Sequence, residues 1–563
     1  MKIVIVGGVA GGATAAARIR RLDEQAQIIV FERSGYVSYA NCGLPYYIGD
    51  VITDPEALTL QTPESFFKRF RVTMKVHHEV MALHPEKKTV SVKNLTTGEV
   101  FEESYDKLIL SPGAKPTQPK LPGIDMEKVF TLRTVEDTFR LKKYIETKKP
   151  TSAVLAGGGF IGLELAENLK DLGIDVTIVQ RPKQLMNPFD ADMASFIHNE
   201  MRKHGVKLLL GRTVEGFEEK GETIRVLLKD EQPLHADLVV LAIGVTPDTH
   251  LAKEAGLQLG IKDSIVVNDR METSIPDIYA AGDAVMVKHY VTGRDALISL
   301  AGPANKQGRI IADNICGGDS HYLGSQGSSV IKVFDLTAAT TGINETNARK
   351  AGLDVDTVIL SPMNHAGYYP GGKVMTMKVV FEKNTYRLLG AQIVGYEGVD
   401  KRIDVLSTAI HANLKATSLQ DLDLAYAPPY SSAKDPVNMA GFMIDNIANG
   451  VLKQWHLSDL TSVLQDSNAT LLDVRTISEY EHSHIEGFKN IPVDELRDHL
   501  SEIEKDKPVY VICQSGLRSY IATRILSQNG YDAYNFAGGF RFYEAVMHDR
   551  SLVEKETACG MDL

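Results

Sequence analysis

The sequence predicts an α/β protein of several domains, mostly built on parallel sheets, with one α+β domain among them. Three observations carry that prediction. An apolar strand running into a glycine loop and then a helix occurs twice, from residues 2 and 153. Between about residues 329 and 449, apolar runs such as Val374-Met-Thr-Met-Lys-Val-Val-Phe381 alternate with helical patterns. Beyond Trp455, the only tryptophan, a further strand, loop and helix close on Cys513. A chain of 563 residues is too long for one ordinary core, and about three to four domains fit its length.

Lys2-Ile-Val-Ile-Val6 reads as a buried parallel strand, Gly7-Gly8-Val9-Ala10-Gly11-Gly12 as a loop, and residues 13–22 as a helix rich in alanine and arginine. A second apolar strand, residues 28–31, ends at Glu32, 20 residues past Gly12. Small residues let backbone approach a pyrophosphate at a helix N-terminus, and an acid at this distance accepts hydrogen bonds from a ribose. Val9 stands where the middle glycine of that fingerprint belongs. The second unit has all three glycines, Gly157, Gly159 and Gly162, with Phe160 and Ile161 between the last two. Its helix carries Glu164 and Glu167, and its closing strand ends in Gln180-Arg181 without an acid. An acid there would bond the ribose of NAD, whereas an arginine accommodates the 2′-phosphate of NADP. Two such Rossmann-like units imply two nucleotides. Strands ending in glycine turns at residues 108–114, 241–247 and 277–284 support a flavin as one of them.

Composition narrows the class. Charged residues make up 24% and hydrophobic residues 44%, as in soluble globular proteins. A net charge of −11 argues against a general nucleic-acid binder. No apolar run is long enough to span a bilayer, and the first strand runs straight into its glycine loop instead of forming a secretory leader. Cys42, Cys316, Cys513 and Cys559 lie far apart without metal-ligand spacing, the pattern of cytosolic thiols. The 16 histidines form no metal constellation, and His77-His78 reads as strand surface.

The chemistry is expected at two cysteines. Cys42 sits in Ser38-Tyr-Ala-Asn41-Cys-Gly-Leu-Pro-Tyr-Tyr47. Thiol–disulfide exchange needs two sulfurs. A self-contained flavin disulfide reductase would place a second cysteine five residues on, where this chain has Tyr47. A redox-active Cys42 therefore takes its partner sulfur from a small thiol, a persulfide or another domain. Arg18 and Arg21, three apart on the first helix, share a face suited to phosphates of a large anionic thiol. Cys513 ends a strand and is followed by Gln514-Ser-Gly-Leu-Arg-Ser519 and a helix. Amides and a helix dipole around such a loop lower a thiol pKa and cradle an anion or persulfide. Cys316 reads as structural, and Cys559 is unassigned, with sulfur shuttling as its alternative role.

The order of these segments resembles the pyridine nucleotide-disulfide oxidoreductase family over about residues 1–448. The resemblance implies an FAD-binding domain at 1–150 and 255–325, an NAD(P)-binding domain at 151–254 and a dimerisation domain at 326–448. A linker at 449–458, a C-terminal α/β domain at 459–555 and a tail at 556–563 complete the division. The glycine loop, Glu32, Arg33, Val80, Ser111, Gly113, Asp283 and Ala301 are implied FAD contacts. Asp283 meets the ribityl chain, caps a helix, or does both. Gly157, Gly159, Phe160, Ile161, Gly162, Gln180, Arg181 and Gly244 are implied NAD(P) contacts.

Within the family, Ser38, Asn41 and Cys42 are similar to the coenzyme A disulfide reductases. Single-cysteine NADH oxidases and peroxidases usually carry a histidine in the first glycine loop, where this chain has Val9-Ala10. Asn364-His-Ala-Gly-Tyr-Tyr-Pro370 and Tyr426-Ala-Pro-Pro-Tyr-Ser-Ser-Ala-Lys434 add to the coenzyme A likeness. It implies that Tyr368 and Tyr426 of a neighbouring subunit reach the thiol site, with Tyr369 and Tyr430 as rivals. Thr14, Arg18, Arg21, Ser38, Asn41 and Lys434 would bind substrate. Asp473-Val-Arg475 and the six-residue loop from Cys513 to Arg518 resemble a rhodanese domain.

The expected activity is FAD-dependent NAD(P)H reduction of coenzyme A disulfide, coenzyme A persulfide or polysulfide through Cys42, with sulfane sulfur handled at Cys513 and Arg518. The alternatives are a single-cysteine NADH oxidase or peroxidase, and a sulfurtransferase with a regulatory flavin half. A cytoplasmic homodimer without metal, nucleic-acid or membrane partners is expected.

Overall fold

The computed structural model describes residues 1–558, with side chains through Val553. Cys559 lies outside the described residues. The chain forms two compact units, Met1–Pro182 with Val206–Gly327, and Lys183–Gly205 with the chain from Ser328 onward.

The first unit holds two five-stranded parallel sheets. One runs in the order Ile278–Ala280, Lys107–Leu110, Lys2–Val6, Gln27–Phe31, Thr73–Lys75. The other runs Val129–Thr131, Leu238–Leu241, Ser152–Ala156, Asp175–Gln180, Lys207–Leu210. Their central strands, Lys2–Val6 and Ser152–Ala156, are apolar after the first residue because helices cover both faces of such sheets. The first helix spans Ala10–Leu22 and so starts three residues before the expected point. Ala10, Gly11 and Gly12 already belong to it, and Val9 is its N-cap with φ −105°. That negative φ suits any L-residue, which explains how valine replaces the middle glycine. Gly159 occupies the same place with φ −92°. Thr14 and Arg18 bind this helix to Ala301–Ile315, through Asn305 at 2.5 Å and Asp313 at 2.8 Å. His77 is left-handed with φ 53° and lies just before the strand His78–His84, so only the second histidine of the pair is in the strand.

The second unit has an antiparallel sheet in the order Ser329–Val333, Leu336–Gly342, Leu388–Gly395, Thr376–Glu382, Val355–Leu360. Beside it Arg402 is almost wholly buried. Its Nη2 donates to Asp435 Oδ2 at 2.9 Å, Ser431 Oγ at 3.0 Å and the Asn364 carbonyl at 2.9 Å. Asp435 also accepts from the Val437 amide and so caps the helix Pro436–Ala448. Burial alone would raise the Asp435 pKa. The Ser431 hydroxyl, the Val437 amide and Arg402 outweigh burial and hold it low.

The same unit ends in a parallel sheet ordered Gln454–Trp455, Ala533–Phe536, Val509–Ile512, Thr470–Asp473, Lys489–Asn490. Gln454 and Trp455, inside the stretch expected to be linker, form an edge strand of this sheet. The last helix, Gly539–Ala558, continues past residue 555. Among the described residues no helix is long and apolar enough to cross a membrane.

Removing one partner of a buried ion pair costs about 3–5 kcal/mol. Arg402→Met leaves the buried Asp435 with only the looser Lys401, at 3.8 Å, as a cation. The amides of the helix Pro436–Ala448 should lose hydrogen-exchange protection of that order, while those of the strand Lys2–Val6 keep theirs. Unchanged protection in the helix would refute the assignment of Arg402 as its anchor.

Candidate functional site

The two glycine loops are built alike. Gly7 and Gly157 have φ of +96° and +116°. A Cβ on either would lie 2.1 Å from the Ser111 carbonyl oxygen or 2.2 Å from that of Ala242. Gly12 and Gly162 close on the carbonyls of Gly7 and Gly157 just as tightly, at 2.0 and 2.2 Å. In each unit the end of the second strand caps the loop. Glu32 Oε2 accepts from the Gly8 amide, and Gln180 Oε1 from the Gly158 amide, both at 2.9 Å. The Ser34 amide donates to the other Glu32 oxygen at 2.9 Å. An ionised carboxylate offers about four acceptor positions, so Glu32 keeps capacity for ribose hydroxyls. A cavity of about 50 Å³ opens beside it, lined in part by Val6, Gly7, Phe31, Arg33 and Val80. Gly113 and Gly244 are left-handed turn glycines, and Ala301 opens its helix. Amide-lined loops with a strand-end acid in one and a strand-end amide in the other fit two dinucleotides, FAD in the first and NAD(P) in the second. Phe160 and Ile161 begin the helix on the second loop, and Arg181 is exposed.

Cys42 lies in the short turn Asn41–Gly43, ahead of the helix Leu44–Ile48. Ser38 is left-handed with φ 47°, an uncommon state for serine, and its amide donates to the Gly8 carbonyl at 2.9 Å. That contact ties the cysteine segment to the first glycine loop. Cys42 is exposed as a residue, yet burial of its thiol is the first cause of a raised pKa, followed by the charge of Glu164. Arg133 acts against both. Arg133 donates to Asp283 Oδ2 at 2.8 Å and to the Ala114 carbonyl at 3.2 Å. Hydrogen-bond partners orient the Asn41 amide to donate to the Arg133 carbonyl and accept from its Nη1, both at 3.1 Å. Asp283 lies in the turn Gly282–Ala284, whose N-cap is Ala281, so aspartate is not the cap residue there. Tyr46 OH approaches Glu164 Oε1 at 3.5 Å, and burial pushes the Glu164 pKa up to about 7. Gly49 makes this packing possible, since a Cβ on it would overlap Asn168 at 2.0 Å. Arg18 is paired with Asp313, and Arg21 is exposed.

In the second unit Tyr368 and Tyr426 are joined, hydroxyl to hydroxyl, at 2.6 Å. Both rings are exposed, at 76% and 45%. Tyr369 instead packs edge-on against His365, and Tyr430 contributes its carbonyl to Arg402 at 3.4 Å. Through Asn364 and Ser431, Arg402 joins the loops that carry the two paired tyrosines. Lys434 is exposed on the second of these loops.

Cys513 is fully buried. Its Sγ receives the Gly516 amide at 3.1 Å and the Ser519 hydroxyl at 3.2 Å. Gly516 has φ +99°, which turns its amide inward. Arg518 clamps Glu479 through two bonds of 2.7 Å, and that pairing holds the Glu479 pKa down to about 2. The buried pair of Arg475 and Asp473, at 2.7 Å, braces the floor of the loop.

Arg133, Tyr46 and Ser519 are the site residues without an advance signal. Arg133 lies outside every motif quoted above, and Tyr46 and Ser519 fall within the Cys42 and Cys513 stretches without a role of their own. Glu164 was visible on its helix, but only the packing of Leu44–Ile48 against that helix brings it to the thiol.

The family model of the pyridine nucleotide-disulphide oxidoreductases matches residues 1–308, that of their dimerisation domain 328–436, and that of rhodanese-like domains 456–545. A coenzyme A disulfide reductase from Staphylococcus aureus (strain JH9) is 38% identical over 442 residues, 78% of this chain and 99% of that protein. The crystal structure of reduced Bacillus anthracis CoADR-RHD superposes with a TM-score of 0.95 at 49% identity, covering 98% of each chain. The structure of an NAD-dependent persulfide reductase from A. fulgidus gives 0.91 at 37% identity, over 96% of this chain and 100% of that one.

Glu164 ionises with a pKa of about 7, and its charge raises the pKa of Cys42. Glu164→Gln should therefore speed alkylation of Cys42 by iodoacetamide at pH 8, and the difference should vanish below about pH 6, where wild-type Glu164 is protonated. Modification of the Cys42 peptide followed by mass spectrometry measures this. Equal rates in both proteins at pH 8 would refute the coupling. The linkage has a matching sign: a carboxyl whose folded pKa is raised penalises the fold increasingly as pH rises from its unfolded value, about 4.3, to about 7.

Proposed function

The chain belongs to the pyridine nucleotide-disulphide oxidoreductase family, and from that membership we propose that it is a flavin-dependent NAD(P)H reductase of coenzyme A disulfide, coenzyme A persulfide or polysulfide, with a rhodanese domain handling sulfane sulfur. One observation carries the reading: an isolated thiol beside a nucleotide cradle shares the chain with a second thiol held by an amide and a hydroxyl.

FAD would be held by Gly7 to Gly12, Glu32, Arg33, Val80, Ser111, Gly113, Asp283 and Ala301, and NAD(P)H by Gly157 to Gly162, Gln180, Arg181 and Gly244; NAD(P)H would supply two electrons, which FAD would relay to sulfur. Cys42 thiolate attacks the sulfur bonded to the coenzyme A carbon chain. The old S–S bond breaks, hydrosulfide leaves from a persulfide or coenzyme A thiolate from a disulfide, and a mixed disulfide forms on Cys42. Two electrons then cleave it to Cys42 thiolate and coenzyme A thiolate. Tyr368 and Tyr426, supplied by the neighbouring subunit of a homodimer, hold a proton for the leaving thiolate; their mutual hydrogen bond supports this role. Thr14, Arg18, Arg21, Ser38, Asn41 and Lys434 bind the carrier.

At the rhodanese site, Cys513 thiolate takes the terminal sulfur of a polysulfide, whose chain shortens by one atom. A coenzyme A thiolate then takes that sulfur, becoming the persulfide that Cys42 reduces and restoring Cys513 thiolate. Arg518 faces the loop as a fixed cation. Chemistry that consumes NAD(P)H and needs reduced thiols belongs in the cytoplasm.

Cys42→Ser should lower turnover of all three substrates by more than about a hundredfold, with flavin bleaching by NAD(P)H retained. Cys513→Ser should slow polysulfide reduction and spare coenzyme A disulfide. Stopped-flow absorbance and anaerobic turnover measure both, and substantial polysulfide reduction by Cys42→Ser would overturn the assignment.

Hydrogen bonds to a charged group contribute about 1.5–3 kcal/mol, and 1.4 kcal/mol is a factor of ten. Arg181→Ala should therefore cut kcat/KM for NADPH by at least about tenfold and leave that for NADH within about twofold. Parallel losses with both nucleotides would show that Arg181 does not meet the 2′-phosphate.

A further inference from the structure

The last helix, Gly539–Ala558, does two things at its two ends. At its start the Phe540 amide donates to the Cys513 carbonyl at 2.7 Å, and the Arg541 amide to the Gln514 carbonyl at 3.1 Å. Gly539, with φ +70°, permits this approach; a Cβ there would lie 2.8 Å from the backbone of Gln514 and Ser515. With its carbonyls drawn outward to that helix, the loop is free to turn its own Gly516 amide toward the sulfur. The first turn of the helix is therefore part of the cradle.

Ten residues on, about 15 Å along the axis, Asp549 is buried against the helix Ala191–Lys203. The Leu185 amide donates to His198 Nε2 at 3.0 Å. A backbone amide can only donate, so Nε2 is bare and the proton sits on Nδ1, which donates to Asp549 Oδ2 at 2.8 Å. Arg202 donates to the other Asp549 oxygen at 2.5 Å. Burial alone would raise the Asp549 pKa, and these two partners reverse that and hold it low. Between the ends, Asn199 Nδ2 donates to the Ala545 carbonyl at 3.0 Å, and the rings of Phe196 and Phe542 stack at 6.3 Å. His198, Asn199 and Arg202 occupy one face of a helix whose last residue, Lys203, lies four positions before the strand Lys207–Leu210 of the second dinucleotide sheet.

We propose that Asp549, His198 and Arg202 are positioning residues for sulfur transfer, locking the last helix to Ala191–Lys203 within their unit so that the Cys513 loop is held rigid for transfer to the coenzyme A carrier. The proposal rests on the relay described above. A fixed donor raises the effective concentration of carried sulfur, whereas a loose one dilutes it. None of the three residues touches Cys513, so the chemistry at that sulfur does not need them.

The test uses the full chain. Asp549→Asn removes the charge that Arg202 needs, and Asn199→Ala removes the middle contact while leaving the ion cluster intact, so the proposal stays testable if the first variant folds poorly. Sulfur transfer from thiosulfate to cyanide, and NADH-dependent reduction of coenzyme A disulfide, should stay within about twofold of wild type. NADH oxidation with polysulfide and limiting coenzyme A should fall at least fivefold, through a raised KM for coenzyme A with kcat regained at saturation. Amides of residues 542–553 should exchange faster in both variants. A merely structural role would lower kcat or all three activities together. Faster exchange with an unchanged KM for coenzyme A would overturn the proposal, as would unchanged exchange in both variants. Failure of the relay itself is separately visible, because Cys513→Ser would then oxidise NADH with polysulfide at the wild-type rate.

Discussion

A guanidinium taken out of water is tolerated only when nearly every donor finds an acceptor. Arg402 meets that demand by drawing acceptors from four places in the sequence: Asn364, Gly398, the turn at Ser431, and Asp435 at the head of a helix. Solving the electrostatic problem at Arg402 therefore also solves a geometric one. Two of the loops that satisfy it bear Tyr368 and Tyr426, and their hydroxyls end 2.6 Å apart although both rings are solvent-facing. Exposed aromatic side chains seldom hold such a separation by their own packing; here the order comes from the buried charge behind them.

The two cysteines use opposite environments. Cys513 is buried, and its sulfur receives hydrogen bonds from an amide and a hydroxyl. Cys42 is exposed, but local desolvation and, after it, the charge of Glu164 disfavour its thiolate. Arg133 is the counterweight, and it is shared with Asp283 and Asn41. The polypeptide alone thus surrounds the Cys513 sulfur with hydrogen-bond donors and favours a protonated thiol at Cys42.

Much of this was legible in the residues because its causes are local. Both glycine loops, the strand-end residues Glu32 and Gln180, and the Cys513 loop depend on backbone reach over a few positions. The parallel between Glu32 and Gln180 was visible only as an acid present and an acid missing; the structure adds that both cap their own loop through one amide. Contacts set by packing between distant segments were not legible. Arg133 reaches Asn41 and Asp283 across most of the first unit. That Tyr368 and Tyr426 meet hydroxyl to hydroxyl depends on the turns around Arg402. Gln454-Trp455 lacks the length of a usual strand, and its pairing with Ala533–Phe536 is a tertiary fact.

The clasp between the last helix and Ala191–Lys203 also bears on solubility. A chain ended after the helix Pro436–Ala448 would strip Phe542 and Val546, both buried, from the face that holds Phe196, and would leave His198 and Arg202 without their carboxylate. An apolar strip stripped of its cover is a sticky surface, prone to self-association. The C-terminal rhodanese-like domain thus also serves as a cover, and a shortened form of this protein would need compensating polar substitutions on that helix to remain dispersed.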